Sequence, residues 1–498
     1  MVLTSENGQT APRGHATSVP VFDLDACYAA LTARDARFDG LFFVGVATTG
    51  IYCRPVCVAR TPRRDRCSFH RSAAEAERAG FRACFRCRPE LAPGHASVDA
   101  LPRLVASAAA LIDDGFLNEH GVDALAATLG VTARHLRRAT EEQLGVSPVE
   151  LAQTRRLALA KQLLQDTDLG LAELAHASGF RSVRRFNALF RARFGRAPSE
   201  LRRGLPASGP GLSLRLDHRA PLDWPRLLGF LAARAIPGVE QVTGDGYRRV
   251  VHLGGHTGGH TGVVHVRPMR AGALRADIDL ALAPVLMPLV VRLRRLFDLD
   301  ADPTRVAEVL ARDPTLAPEI ARRPGLRVPG SVDGFETAVR AVLGQQVSVR
   351  AATTLAGRLV ARLGVPVTDS GGLTHRFPTA AELAAVPVPR LAAIGLPAPR
   401  AATLHTIADA YAHDHLPTDP TEFIATLIKL PGIGDWTAQY LVLRALHHPD
   451  AFPAGDLVLR KALGDISAKA AIARAEAWRP WRAYAVMHLW TAHTEAPP

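Results

Sequence analysis

Apolar positions along this chain change period several times, and the changes divide it into modules. At Leu104, Val105, Leu111 and Ile112 they recur at helical spacing. The same 3.6-residue period runs through Val122–Val131 and Thr132–Arg138, with Gly130 between them. Thr132 offers a hydroxyl N-cap, so this stretch predicts helix, glycine turn, helix. The pattern returns at Leu171–Phe180 and Val183–Phe194, capped by Ser182, with Phe186, Phe190 and Phe194 on one core-facing stripe. Pro148–Leu164 predicts a single helix joining the two units. From Leu214 to Leu296 the pattern mixes: alternation at Tyr247–His252 and Gly262–Val266 predicts strands, and Trp224–Arg234 a helix. Beyond Phe297 helical patterns dominate, apart from Pro/Gly breaks around Val367–Pro378. Turn-rich stretches at Pro89–Pro102 and Gly204–Gly211 mark boundaries.

Length and charge sharpen this picture. A chain of 498 residues is too long for one core. Its apolar fraction of 48% and charged fraction of 21% exclude wholesale disorder. The longest apolar run, Leu280–Val291, is too short to span a bilayer, and Met1–Pro20 lacks the pattern of a secretory signal. A cytoplasmic, nucleoid-associated protein with no membrane contact is expected. The net charge of +13 implies an anionic partner only where it is concentrated. Residues Arg155–Arg203 hold 11 basic side chains against four acidic ones, the footprint of a nucleic-acid surface.

All 6 cysteines fall at or before Cys87. Cys53 and Cys57 form one short-spaced pair and Cys84 and Cys87 another, so together they can complete a tetrahedral site for one Zn²⁺. Without a secretion signal a disulfide framework is disfavoured. Cys27 and Cys67 lack a partner at ligand spacing and read as buried small hydrophobes. No organic cofactor is expected.

The residues around the cysteines, Phe43–Cys57 and Ala79–Pro89, resemble the N-terminal module of the Ada family of alkylation-repair proteins. That resemblance implies that Cys53 is both ligand and nucleophile, irreversibly accepting a methyl group from a DNA methylphosphotriester. Methylation would reduce the negative charge of the zinc–thiolate site and tighten DNA binding, switching on transcription. Arg54, Arg60, Arg63, Arg64, Arg66, Arg82, Arg86 and Arg88 surround the site and are candidates for holding the DNA backbone. Val56 and Ala83 stand where the family usually shows Ser and Pro; neither change removes a ligand. No Pro-Cys-His-Arg motif occurs, so the alkylguanine methyltransferase of that family is not expected here.

The paired helix-turn-helix pattern, ending in Phe194-Gly-Arg-Ala-Pro-Ser-Glu-Leu-Arg202, is similar to the AraC-type DNA-binding domain. The resemblance implies two recognition helices in successive major grooves, with Arg134, Arg137 and Arg138 in the first and Arg184 and Arg185 in the second.

In the C-terminal half, His252, His256 and His260 lie among glycines and suggest a hairpin loop, metal binding there being the lesser alternative. Leu430-Pro-Gly-Ile-Gly434 lies between helical patterns and can bring backbone amides to a phosphate. Asp456, within Phe452-Pro-Ala-Gly-Asp456, reads alone as an N-cap. Together these motifs resemble the helix–hairpin–helix glycosylases, and with Trp224–Ala235, Phe335–Val349 and Trp478–Trp490 the AlkA type, 3-methyladenine DNA glycosylase II. The resemblance implies hydrolysis of the N-glycosidic bond of alkylated bases, with Asp456 stabilising the cationic sugar. It places Trp436, Tyr440 and Trp490 in the base pocket, and Gln346, Gly432 and Gly434 against DNA. Bifunctional relatives carry a Schiff-base lysine where Trp436 stands, so a monofunctional, non-lyase enzyme is expected. Gly455 replaces an acidic residue and Gln346 an intercalating Leu of some relatives.

The expected fold is multidomain α+β. It comprises a small zinc-bound α/β module over 15–95, an all-α tandem helix-turn-helix domain over 100–205, a mixed α/β domain over 212–296, and a mostly α helix–hairpin–helix glycosylase domain over 297–498. The expected protein is a repair enzyme and activator, acting as a monomer on double-stranded DNA with RNA polymerase as a further partner. The alternative is a methylation-sensing transcription factor whose C-terminal half only binds DNA.

Overall fold

The computed structural model describes residues 23–94, 103–202, 212–255, 258–269, 272–369, 371–413 and 415–495. The first module sets helices Leu24–Ala33 and Ala73–Arg78 against a four-stranded sheet. Strand Phe43–Val46 pairs antiparallel with Ile51–Cys53 and Cys67–His70; Arg82–Ala83 joins Ile51–Cys53 in parallel, with Tyr52 opposite Ala83. This parallel step carries the second cysteine pair to the end of the strand that bears Cys53.

Both helix-turn-helix units form as the apolar periods require. Helix Val122–Thr128 turns into Ala133–Leu144, and Leu171–Ala177 into Val183–Phe194. Thr132 accepts the His135 N–H and Ser182 the Arg185 N–H, satisfying amides that a helix start leaves free. The connecting helix runs Pro148–Asp166 and begins with a Ser147/Glu150 capping box. Phe186, Phe190 and Phe194 are buried, as their stripe predicts. Burial of each contributes roughly 2–3 kcal/mol.

The next sheet is antiparallel with strand order 212–217, 273–278, 258–269, 246–255, 240–243, and helix Trp224–Arg234 forms with the expected bounds. The histidine tract is less of a loop than its glycines suggest. His252 lies within a strand, opposite Thr261, whose hydroxyl it meets at 2.8 Å. Leu253 pairs with His260, while His256 lies outside the described residues. Pairing satisfies the backbone groups of these glycines, which outweighs their weak strand preference. Among the described residues the cysteine quartet is the one cluster of His, Cys, Asp or Glu side chains able to hold a metal. The remainder is helical except for a two-residue ladder pairing Val365–Pro366 with His375–Arg376.

The cores cross the module boundaries. The first helix-turn-helix unit has its own cluster around Val105, Ile112, Leu125 and Leu136. The second shares one continuous cluster with the cysteine module (Phe43, Tyr52) and the antiparallel sheet (Leu214, Val251, Val264). The C-terminal helices enclose a separate core containing Leu441, Phe452 and Trp478. No described helix is long and apolar enough to cross a membrane.

Candidate functional site

Two chemical centres stand out. In the first, the Sγ atoms of Cys53, Cys57, Cys84 and Cys87 all lie within 4.8 Å of one another. Tetrahedral Zn–S bonds of about 2.3 Å hold sulfurs at such separations, so the donor set fits one Zn²⁺. The protein also supplies N–H donors suited to thiolates: Arg54 N–H to Cys87 Sγ and Arg86 N–H to Cys84 Sγ, each 3.4 Å, and an Ala59 N–H to Cys57. Among the described residues no backbone N–H donates to Cys53 Sγ. Without a cation four sulfurs this close cannot all ionise: hydrogen bonding to Cys57 and Cys84 holds Cys53 far above the ordinary thiol range. Cys57 and Cys84 are buried, whereas Cys53 and Cys87 are half-buried and reachable.

The remaining cysteines behave differently from one another. Cys27 is buried, and desolvation pushes its thiol up to about 11. Cys67, expected to be buried, is half-exposed, because its short strand lies at the edge of the sheet.

The arginines around the cysteines divide into two groups. Arg54 is 8% exposed, with its guanidinium on both carboxylate oxygens of Asp39, on Asp217 at 3.0 Å and on the Cys87 carbonyl at 3.3 Å. Arg88 bridges Glu90 and Asp166. Neither is free to hold a DNA backbone, since removing one partner of a buried ion pair strands the other. Arg60, Arg63, Arg64, Arg66, Arg82 and Arg86 are half-buried or exposed.

The basic stretch divides similarly. Arg155, Arg156, Lys161, Arg193 and Arg202 bond within the protein: Arg155 to Asp113, Arg156 to Asn118, Lys161 to Glu90, Arg193 to Glu77 and Arg202 to a carbonyl. Arg181, Arg184, Arg185, Arg191 and Arg196 are exposed. Arg134, Arg137 and Arg138 are exposed at positions of the first unit matching Arg181–Arg185 and their neighbours in the second; Arg138 lies 3.7 Å from Glu142.

The second centre is assembled around Asp456. Its carboxylate caps helix Leu457–Ala462 by accepting the Leu459 N–H at Oδ1, 2.8 Å. The same oxygen accepts the Trp490 indole N–H at 3.0 Å, and Oδ2 accepts that of Trp436 at 2.9 Å. Trp436 stacks on Tyr440 with ring centroids 5.3 Å apart, and Tyr440 lies 6.5 Å from Trp490. One carboxylate therefore both caps a helix and joins the two indoles.

Gly432 and Gly434 sit in the turn between helices Pro420–Leu427 and Asp435–Arg444. Gly432 has φ +83°, and a Cβ there would lie 2.0 Å from Thr403 Oγ1. Gly434 opens onto free space as the N-cap of the second helix. Gln346 is exposed in the left-handed region, φ +56°, in the loop after helix Gly334–Leu343. Gln345 ties this loop to the turn through the Gly432 carbonyl at 2.9 Å and Thr437 Oγ1 at 3.2 Å.

The comparisons with known proteins match the modules in turn. The metal-binding domain of Ada matches residues 26–90, a helix-turn-helix domain 125–204, the AlkA N-terminal domain 213–333, and the HhH-GPD superfamily of base excision DNA repair proteins 339–482. A Mycobacterium tuberculosis (strain H37Rv) protein, named "Probable bifunctional transcriptional activator/DNA repair enzyme AlkA", is 42% identical over 485 residues, covering 94% of this chain and 96% of that one. The chain belongs to this AlkA family. DNA-3-methyladenine glycosylase 2 of Escherichia coli K12 is 37% identical over 279 residues, 55% of this chain and 95% of that one. In fold, 56% of this chain resembles the 3-methyladenine DNA-glycosylase structure from Archaeoglobus fulgidus, with a TM-score of 0.50 at 22% identity, covering 98% of that chain.

In this AlkA-family chain, sequence reasoning missed several residues beside the aromatic group. Arg234 lies 3.7 Å from the Phe230 ring centroid and Arg444 4.8 Å from it. Arg444 donates to Tyr440 Oη at 3.1 Å. Burial would raise the Tyr440 phenol, but Arg444, Arg234 and Arg340 outweigh it and bring the group below its ordinary value. Arg444 could have been found from its i+4 spacing to Tyr440. Arg234 and Arg340 come from other helices and left no such signal.

Proposed function

We propose that this chain repairs alkylated double-stranded DNA at two centres and activates transcription in response to methylation. The observation that carries the glycosylase reading is the Asp456 carboxylate fixed by three N–H donors among three aromatic rings. Such a carboxylate is aimed before reaction, so it stabilises charge that develops nearby without reorganising. A base methylated on N3 or N7 is cationic and leaves readily once flipped from the stack. The bond from sugar C1′ to the base nitrogen breaks, its electron pair leaves with the base, and Asp456 stabilises the oxocarbenium ion until water adds. Trp436, Tyr440 and Trp490 contact the flipped base. Gly432, Gly434 and exposed Gln346 hold the DNA around it. Trp436 in place of a lysine makes the enzyme monofunctional.

At the cysteine centre, bound Zn²⁺ keeps its ligands as thiolates at neutral pH. Cys53 is the acceptor: it is reachable, and it lacks the backbone N–H bonds that draw charge from its neighbours' sulfurs. Its sulfur attacks the methyl carbon of the phosphotriester. An S–C bond forms, the O–CH₃ bond breaks, and the electron pair stays on the phosphate oxygen. Arg134, Arg137, Arg138, Arg184 and Arg185 carry the DNA contacts of the activator, which works as a monomer and engages RNA polymerase.

The test is release of 3-methyladenine from a duplex, with the product an abasic site that borohydride does not trap on the protein. Asp456→Asn is expected to slow release by about 10²–10³-fold. Undiminished release overturns the glycosylase reading and favours the alternative, a half that only binds DNA. Mass spectrometry after incubation with methylphosphotriester DNA is expected to find one methyl on Cys53; a zinc-loaded protein left unmethylated overturns the acceptor reading.

A further inference from the structure

A line of buried charged residues leads from the cysteine cluster to the helix that carries Trp490. It begins at Arg54, whose N–H reaches Cys87 Sγ and whose guanidinium holds Asp39 and Asp217. Asp217 ends the first strand of the antiparallel sheet and is itself buried. Buried Arg219 continues the line, donating to the Asp39 carbonyl at 3.0 Å and the Asp300 carbonyl at 2.6 Å. Arg327, 1% exposed, donates to the carbonyls of Pro221 at 2.9 Å and Ala301 at 3.1 Å. The adjacent Val328 N–H bonds Asp298 Oδ2 at 3.1 Å, and that oxygen also accepts the Tyr484 hydroxyl at 2.8 Å. Tyr484 lies on helix Arg482–Glu495, six residues before Trp490, whose indole holds Asp456.

We propose that this line couples the two centres, so that methylation of Cys53 accelerates base excision at Asp456. The proposal rests on the reading of Cys53 as acceptor and Asp456 as glycosylase carboxylate. Methyl transfer converts a thiolate into a thioether and removes one negative charge from the four-sulfur site. Arg54 is shared between that site, through its backbone N–H to Cys87 Sγ and its guanidinium to the Cys87 carbonyl, and the carboxylates Asp39 and Asp217, which the guanidinium holds. A less negative cluster weakens the backbone N–H bond to Cys87 Sγ and leaves Arg54 held by the two carboxylates, which tightens the cysteine module against the sheet. In a close-packed, low-dielectric interior such a shift propagates through contacts rather than being absorbed by solvent. Arg54 and Asp217 act here as positioning residues; neither touches substrate.

The experiment uses the full chain in single-turnover release of 3-methyladenine, before and after reaction with methylphosphotriester DNA, with methyl occupancy of Cys53 verified by mass. The wild-type rate is expected to rise about fivefold or more on methylation. Asp217→Asn is expected to show one rate in both states. Hydrogen exchange in 212–217 and 482–495 is expected to slow on methylation in the wild type and not in the variant. Should Asp217→Asn fail to fold, Tyr484→Phe breaks the far end of the line and is expected to abolish the same response. Equal rates in a wild-type protein with methylated Cys53 overturn the coupling alone. Absence of methyl on Cys53, or of any excision, overturns instead the functional reading beneath it.

Discussion

The two centres are built by opposite strategies. The cysteine quartet comes from two short segments of one small module, and its four sulfurs repel one another unless a cation joins them. The Asp456 site draws Trp436, Asp456 and Trp490 from three separate helices, and each donor–acceptor pair is satisfied by the protein alone. A metal-organised site is specified by local spacing and lost with its ion; a packing-organised site persists without an ion but depends on the whole domain.

Metal removal should separate the two most strongly. Structural zinc contributes about 10–16 kcal/mol of binding free energy in small zinc modules, so chelation is expected to abolish hydrogen-exchange protection across residues 43–91. All 5 tryptophans lie beyond the helix-turn-helix units, Trp224 being the first, so their emission maximum should hardly move. Unfolding of both regions together would break the contrast.

The aromatic frame comes next. Trp436→Phe and Trp490→Phe each keep a ring and remove one charge-assisted hydrogen bond, so excision should fall about 10- to 100-fold in each, with methyl uptake by Cys53 intact. An unchanged single-turnover rate in both variants would show that the indoles only pack.

Acidity should act on the second region through His488, on the helix of Trp490. Burial lowers this imidazole to about 4, so between about 4 and 6.5 the unfolded chain binds more protons than the folded one. Stability therefore falls as pH drops through that window, by ~2 kcal/mol from pH 7 to pH 5, and His488→Leu should flatten this part of the thermal-midpoint profile.

The smallest effect tests the turn. Gly432→Ala forces a Cβ onto Thr403 at positive φ and should cost about 1–3 kcal/mol in denaturant unfolding. Gly434→Ala meets open space and should stay within about 0.5 kcal/mol.

Much of this was legible in the chain. Capped helices at Thr132 and Ser182, the buried Phe186–Phe194 stripe and helix Trp224–Arg234 follow from local periodicity and caps. Asp456 was legible as a helix cap. What was not legible involves partners distant along the chain. Arg54 and Arg88 look like surface cations beside the cysteines, yet Arg54 is buried against Asp217 and Arg88 is tied to Asp166. More than half of the basic stretch Arg155–Arg203 likewise serves internal bonds, because charge counts carry no information about which groups fold back onto them. Arg234 and Arg340, which lower the Tyr440 phenol from other helices, escaped for the same reason.

The sequence by itself determined the short-range features: cysteine spacing able to hold an ion, helix starts and stops, and the alternation of strands, all governed by interactions within a few residues. Only the tertiary structure decided which charges are buried and which are exposed. It also merged the second helix-turn-helix unit, the cysteine module and the antiparallel sheet into one core, and it brought both indoles to Asp456. Those outcomes depend on apolar burial and on pairing charges that cannot be left alone in the interior, and both forces act between residues hundreds of positions apart.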